Sequence, residues 1–209
     1  MMSKAKFYVV WKGRKTGVFN SWEDCAAQVN SFTGAEYKAF ESRAAAEEAF
    51  KGAYSDYKGR YVSSLSAESL RKIGHPVMES VCVDAACSGN PGILEYHGVD
   101  TRTKRELFRQ GPFENGTNNV GEFLAIVHAL AVLQKKGLQD LVYSDSETAI
   151  LWVKKKKCKT KLKPSENNRQ IFDLIARAED WLATNKYENP VLKWDTEAWG
   201  EIPADYGRK

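Results

Sequence analysis

An apolar run over Phe7–Trp11 breaks at the basic turn Gly13-Arg14-Lys15-Thr16-Gly17 and apolar residues return at Val18–Asn20, which predicts a strand and a short return strand. Ser21 is placed to N-cap a helix beginning at Trp22, with Asp24 at N3 close to a capping-box arrangement. Tyr37–Phe40 alternates as a third strand, and Ser42 precedes the Ala- and Glu-rich helix Arg43–Phe50. Three strands and two helices in so short a stretch make a small α/β unit with a thin core. From Gly52 to Pro76 the pattern weakens to Gly, Ser, Tyr and charges, with one or two helical turns at Ala67–Ile73. That stretch reads as a linker.

The second unit begins near Val77. Val81 and Val83 alternate as a strand packed on a core, and Asp84 stands while that strand is still inside the predicted sheet. Ser88-Gly89-Asn90-Pro91-Gly92 is a turn signal. Ile93–Val99 and Arg105–Gln110 read as two further strands around a turn at Asp100–Lys104. Gly121–Gln134 is amphipathic, with Phe123, Ile126, Val127 and Leu130 on one face. Leu141–Ser144 is a short buried strand and Ser146–Lys156 a helix. A polar loop, the helix Asn168–Thr184, the strand Val191–Trp194 and the tail Trp199–Lys209 complete the chain. Three strands followed by alternating helices and strands imply an α/β layer on a mixed sheet.

A chain of 209 residues, 43% hydrophobic and 28% charged, has room for one full domain and a small companion. The net charge of +4 permits a nucleic-acid partner without demanding one, so the placement of the lysines matters more than their number. Cys25, Cys82, Cys87 and Cys158 form no C-x-x-C pair, which argues against a zinc site or disulfide framework. No apolar run reaches the length of a membrane span, and the first residues lack a signal-peptide pattern. A soluble, cytoplasmic protein is expected.

Four carboxylates fall where this architecture could gather them. Asp84 is carried by a rigid strand beside a tight loop of small residues. Glu122 lies early in the helix after Thr117-Asn118-Asn119-Val120-Gly121, Asp145 follows the strand Leu141–Ser144, and Asp205 stands in the tail. Each has an ordinary reading: a strand end, a capping box from Asn119 to Glu122, a helix cap, a solvated terminus. Their joint placement is harder to dismiss, because strand ends beside helix starts are where sites form in open α/β sheets. Phosphodiester hydrolysis needs an activated water, a stabilised pentacovalent phosphate and a neutralised leaving oxygen. Two divalent ions ~3.5–4 Å apart meet those needs. Mg²⁺ takes a few carboxylate oxygens and keeps waters, so three or four acidic side chains suit it.

At these residues a resemblance becomes specific. Val83-Asp84-Ala85-Ala86-Cys87-Ser88-Gly89-Asn90-Pro91-Gly92, the run from Thr117 to Leu130, Tyr143–Ile150 and the ending from Trp199 resemble the ribonuclease H type 1 catalytic domain. The match is to the bacterial branch without a basic protrusion, and covers residues 77–209. It implies an RNase H-like fold, a five-stranded mixed sheet with flanking helices. It also implies that Asp84, Glu122, Asp145 and Asp205 bind two Mg²⁺ ions, with Mn²⁺ as an alternative, and that Glu201 acts near them. Ser88, Gly89, Asn90, Asn118 and Asn119 match positions that track the RNA strand. Thr117, Asn119 and Thr160 match those holding a DNA phosphate, and Thr196 is a further implied nucleic-acid contact. Two departures stand out. His75, His97 and His128 all precede Asp145, so the mobile catalytic-loop histidine of other members is missing. Glu147 stands where some relatives carry a groove-reading glutamine, and a carboxylate accepts but cannot donate. The lysine-rich stretch Lys154–Lys163 favours contact with substrate phosphates.

The first unit, residues 5–51, resembles the hybrid-binding domain of ribonucleases H1, a fold also seen in viroplasmins. Trp11-Lys12-Gly13-Arg14-Lys15-Thr16-Gly17, Ser21-Trp22 and the Tyr37-Lys38 pair carry that likeness. It implies that Trp22 and Tyr37 contact DNA sugars and Lys38 a phosphate. Ala39 replaces a lysine frequent in relatives. The expected whole is a monomeric two-domain endonuclease (5–51, linker 52–76, 77–209). It cuts the RNA strand of an RNA/DNA hybrid, leaving 5′-phosphate and 3′-hydroxyl ends, with no membrane and no obligate protein partner. The duplex would be read by shape and 2′-hydroxyls. Two rivals are a hybrid sensor with an idle nuclease fold, which would have lost a carboxylate, and an exonuclease or strand-transfer enzyme on the same sheet.

Overall fold

The structure is a computed structural model that describes residues 6–63 and 65–207. Residue 5, the expected start of the first unit, residue 64 of the linker, and residues 208 and 209 of the tail lie outside them. The chain divides into two compact units, one reaching to Gly74 and including Glu197–Gly200, the other formed by His75–Thr196 and the residues from Glu201.

In the first unit β1 (Phe7–Lys12) lies between β2 (Gly17–Phe19) and β3 (Glu36–Phe40), antiparallel to both. Strand alternation sends Val9 to one face, with Phe40, Ala46 and Ala49, and Val10 to the other, with Cys25 and Val29. Each face therefore receives one helix: α1 (Trp22–Val29) covers the Val10 side and α2 (Arg43–Lys51) the Val9 side. Ser21 caps α1 by accepting from the Asp24 amide at 3.1 Å, and Ser42 caps α2 by accepting from that of Ala45 at 3.2 Å. The stretch expected as a linker is more structured than its composition indicates. It holds α3 (Tyr54–Tyr57) and α4 (Ala67–Ile73), and Tyr57 and Val62 pack against the α2-side core. The Tyr57 ring stacks on Trp11 at 5.6 Å, an aromatic pairing that periodicity cannot reveal.

The second unit is built on a mixed five-stranded sheet. β4 (Ser80–Gly89), β5 (Gly92–Asp100) and β6 (Glu106–Gly116) form an antiparallel meander. β7 (Leu141–Ser144) pairs parallel to β4, and β8 (Val191–Lys193) parallel to β7, giving the order β6-β5-β4-β7-β8. β6 runs six residues past the expected end at Gln110. Gly111 and Pro112 are breakers that suggested a stop, but they fall at a register irregularity that the strand absorbs. The β4–β5 turn is only Asn90-Pro91, and a Cβ on Gly92 would meet the Ser88 carbonyl oxygen at 2.3 Å, so a side chain there is excluded.

α5 (Asn118–Lys135) packs on β4 and between α6 (Glu147–Lys154) and α7 (Arg169–Thr184). The expected one-faced helix is instead buried on nearly every side from Val120 to Val127, because a helix enclosed by sheet and two helices has no solvent face there. α7 keeps a single buried stripe of Ile171, Ile175, Ala178 and Leu182 and leaves its other side in water. It begins one residue later than expected, after a 3-10 turn at Glu166–Asn168. α8 (Thr196–Trp199) follows β8.

Gly121 sets how closely α5 approaches β4. A Cβ at this position would lie 2.5 Å from Leu94 Cδ1 and 2.7 Å from Ala85 Cβ, both core atoms. Gly121→Val is expected to lower stability by at least about 2 kcal/mol through overpacking, read as a reduced urea midpoint with unchanged slope. An unchanged midpoint would show that the helix can shift freely.

Candidate active site

The parallel pairing of β4 with β7 brings Asp84, within β4, to Asp145, the residue following β7. The Gly121 contact presses the start of α5 against the same place and delivers Glu122. One carboxylate oxygen from each of the three lies within 4.8 Å of the others, the one such acidic group among the described residues. Asp84 and Glu122 are buried and Asp145 is half-buried. Asp205 lines the same cavity of about 380 Å³, together with Ser88, Asn118 and Tyr206. Glu201 is exposed, and its charge is felt at Asp145.

Glu122 does not form the expected capping box. The N-cap of α5 is Thr117, without a side-chain cap bond, and Glu122 lies in the second turn. Its Oε1 accepts from Asn118 Nδ2 at 2.6 Å, so the asparagine orients the carboxylate. The cap of α6 is Ser146, which accepts from Ala149 N at 3.2 Å and leaves Asp145 unused in that role. Glu122 Oε2 and Asp145 Oδ1 are buried with no hydrogen-bond donor. Such oxygens are costly unless something cationic meets them.

The electrostatics agree. Burial, then the neighbouring Asp145 charge, pushes the Asp84 carboxyl up to about 7. Burial pushes Glu122 up to about 7 as well, with Asp145 and Asp84 adding to it. Asp145 is raised by burial and by the charges of Asp205 and Glu201. Hard oxygens with a deficit of positive charge suit a divalent cation of the Mg²⁺ type.

A second groove, of about 560 Å³, adjoins the acidic cavity, the two sharing Cys87 and Asn118. It gathers Gly89 and Asn90 from the β4–β5 turn, Thr117, Asn118 and Asn119 from the start of α5, and Thr160 from the loop after α6. Lys159 and Lys161 line it too, whereas Lys157 turns away to Glu179 at 2.5 Å. The lysine run is thus divided: Cys158 is buried and Thr160 and Leu162 half-buried, while the alternate lysines face out. Ser88 faces the acidic cavity instead. Glu147 pairs with Lys193 at 3.1 Å. Thr196 is exposed at the start of α8 and lines neither cavity.

In the first unit, Trp22 and Tyr37 are 43% and 40% exposed, too open to be filling a core. Their rings lie 5.8 Å apart, and Tyr8, which sequence reasoning missed, stands 5.6 Å from Trp22. Alternation along β1 that puts Val10 on the α1 face puts Tyr8 there too. Lys38 does not join them. It alternates with Tyr37 toward the α2 face, and its Nζ donates to the carbonyls of Tyr57 and Arg60 at 2.9 and 2.5 Å.

A mixed α/β sheet with an acidic cluster at its parallel β4–β7 pair is the layout of an α/β domain with a candidate carboxylate metal site. The chain belongs to the ribonuclease H family, whose RNase H domain matches residues 78–188, preceded by a Ribonuclease H1 N-terminal domain at residues 6–50. It is similar to a Ribonuclease H of Crithidia fasciculata, 40% identical over 181 aligned positions, covering 61% of this chain and 37% of that one. A Ribonuclease H of Thermoanaerobacter pseudethanolicus is 32% identical over 141 positions, covering 56% of this chain and 86% of that one. The chain thus spans little more than a third of the Crithidia protein. Among solved structures, RNase H1 from the halophilic archaeon Halobacterium salinarum NRC-1 aligns at 18% identity and a TM-score of 0.37. It covers 55% of this chain and 83% of that one. No helix among the described residues is long and apolar enough to cross a membrane.

The raised carboxyls make stability depend on pH. In the unfolded chain Asp84 and Glu122 titrate in the ordinary carboxylate range, so the folded protein holds the extra protons. Their stabilising contribution is complete below that range and is lost as pH rises through about 7. Asp84→Asn, which removes one buried charge, should raise the Tm of metal-free protein by roughly 3 °C or more at about pH 8. The gain should shrink toward about pH 5, and a divalent cation should stabilise wild type more than the variant. Thermal unfolding in chelator and in Mg²⁺ checks this. An equal Tm at high pH would show that the carboxyl is not desolvated.

Proposed function

We propose that this protein is an endonuclease that hydrolyses the RNA strand of RNA/DNA hybrids, leaving 5′-phosphate and 3′-hydroxyl ends. In this reading residues 77–209 form the catalytic domain, residues 5–51 bind the hybrid, and residues 52–76 connect them. The observation that carries it is the convergence of Asp84, Glu122 and Asp145, with two buried oxygens lacking donors, beside a groove of amide, hydroxyl and ammonium groups. Asp84, Glu122, Asp145 and Asp205 would hold two Mg²⁺ ions. Bound there, such ions supply Lewis-acid charge that activates water and neutralises the leaving oxygen.

The chain's own groups do the rest. Asn118 holds Glu122 in orientation and lines both cavities, which links carboxylate position to substrate position. Thr117, Asn119 and Thr160 offer hydroxyl and amide donors, and Lys159 and Lys161 positive charge, to a phosphate in the groove. Gly89 and Asn90 expose a turn with little bulk to a broad minor groove, where 2′-hydroxyls distinguish RNA from DNA. Glu147, paired with Lys193, can accept from a base but cannot donate. The exposed Trp22 and Tyr37 rings, with the half-buried Tyr8 ring beside Trp22, offer an apolar surface to sugars of the duplex.

The test is cleavage of an end-labelled hybrid in Mg²⁺ and in chelator, by wild type and Asp84→Asn. Wild type is expected to cut only the RNA strand and only with the cation. The variant should lose about a thousand-fold or more in rate while binding the hybrid within a few-fold. Wild-type cutting of the DNA strand, or Asp84→Asn activity near that of wild type, would overturn the assignment. In the first unit Trp22→Ala should raise the hybrid concentration for half-maximal cleavage by roughly five-fold or more. Lys38→Ala should do so less, because its ammonium already serves two carbonyls. The opposite ranking in a steady-state assay would place the contact on the α2 face.

A further inference from the structure

Resting on the nuclease reading above, we propose that His97 and Arg109 are positioning residues that clamp the tail and fix Asp205 at the acidic site. His97 is the cross-strand partner of Asp84 on β5, and Arg109 is the partner of His97 on β6. The pair therefore stands on the same sheet face as Asp84. His97 is buried, and its Nε2 lies 2.5 Å from the carbonyl oxygen of Ala204. A carbonyl only accepts, so Nε2 carries the hydrogen and donates. Arg109 Nη2 lies 3.2 Å from His97 Nδ1, and its guanidinium also pairs with Glu106 at 2.7 Å, which fixes both rotamers.

The grip closes on both sides of Asp205. Ala204, before it, is held by His97. Tyr206, after it, places its ring 4.3 Å from the His97 ring and beneath Arg109, whose Cζ lies 5.2 Å from the ring centre. The backbone N–H of Tyr206 donates to Asp84. Ile202 and Ala204 are buried, and the Asp205 amide donates to the Ile202 carbonyl at 2.8 Å. Between these anchors the Asp205 side chain is exposed and lines the acidic cavity. Asp205 stands outside any strand or helix, so without the clamp its carboxylate would sample many positions. Partners that orient ligands typically change metal affinity or activity by about 10–100-fold when removed.

The test uses the full chain with His97→Phe, which keeps a ring on Tyr206 but loses the donor, and His97→Gln, which restores one. In cleavage of a labelled hybrid, His97→Phe should need about ten-fold more Mg²⁺ for half-maximal rate, with the rate at saturating Mg²⁺ within about three-fold of wild type. His97→Gln should recover most of that shift. A purely structural role would lower the rate at every Mg²⁺ concentration and would not be rescued. Independently of activity, hydrogen exchange of the 202–207 segment should quicken in His97→Phe and return in His97→Gln. If His97→Phe does not fold, the exposed Arg109→Gln is measured instead, with the same shift in Mg²⁺ requirement and tail exchange expected. Unchanged exchange and Mg²⁺ dependence in the folded variant would overturn the clamp. A wild-type protein that cuts no hybrid would overturn the nuclease reading, and the exchange data would still decide whether His97 holds the tail.

Discussion

The larger unit depends on the contact between the start of α5 and the middle of β4. Backbone meets side chain there with no room for a Cβ at Gly121, and that closeness carries Glu122 to Asp84. The arrangement opposes folding when no cation is bound: like charges are confined, two oxygens lack donors, and burial favours the protonated forms. A continuous apolar core between one face of the sheet and three helices has to outweigh it. Rigid strands suit that task better than loops, because they hold the carboxylates together against their repulsion.

This explains which parts of the chain could be read directly. β3 around Tyr37 announces itself by alternation, β1 by its run of aromatic and β-branched residues, and the caps at Ser21 and Ser42 by residue type. Asp84, Glu122, Asp145 and Asp205 could be chosen from motif and position, and the structure gathers three of them tightly with the fourth lining the same cavity. What was illegible is whatever tertiary contact decides. The short range from Asn119 to Glu122 fits a capping box, but Glu122 is drawn into the site and Asn118 becomes its partner. Tyr57 and Val62 sit in a stretch with linker composition, yet aromatic packing recruits them to a core. Lys38 is separated from Tyr37 by the period-two geometry of β3, and only the later chain shows what its ammonium meets.

The small unit handles a thin core by using both faces of its sheet. Each face receives one short helix, and neither cluster alone contains more than four fully buried side chains. Its large aromatics therefore divide into two populations. Trp11, Phe40 and Tyr57 interlock on the α2 side, with Trp11 Nε1 donating to the Gly52 carbonyl at 2.9 Å, whereas the exposed Trp22 and Tyr37 cluster with the half-buried Tyr8 on the α1 side. A surface of rings is costly to leave in water unless a partner covers it, and a polyanion with apolar sugars is one such partner.

An acidic cavity is an unpromising destination for a polyanion, and the layout of the second unit addresses that directly. In the proposed function, Asp84, Glu122, Asp145 and Asp205 would repel an incoming phosphodiester until cations neutralised them. The adjoining groove has the opposite character, with Lys159 and Lys161 beside uncharged Thr117, Asn119 and Thr160. Positive charge is thereby placed beside the acidic cavity rather than among its carboxylates. Lysines within the acidic cavity would satisfy the buried oxygens themselves and compete with a divalent ion for the same lone pairs. Keeping the two signs apart, while Asn118 touches both cavities, would let substrate and cation binding in the proposed reaction depend on separate charges and still meet at one asparagine.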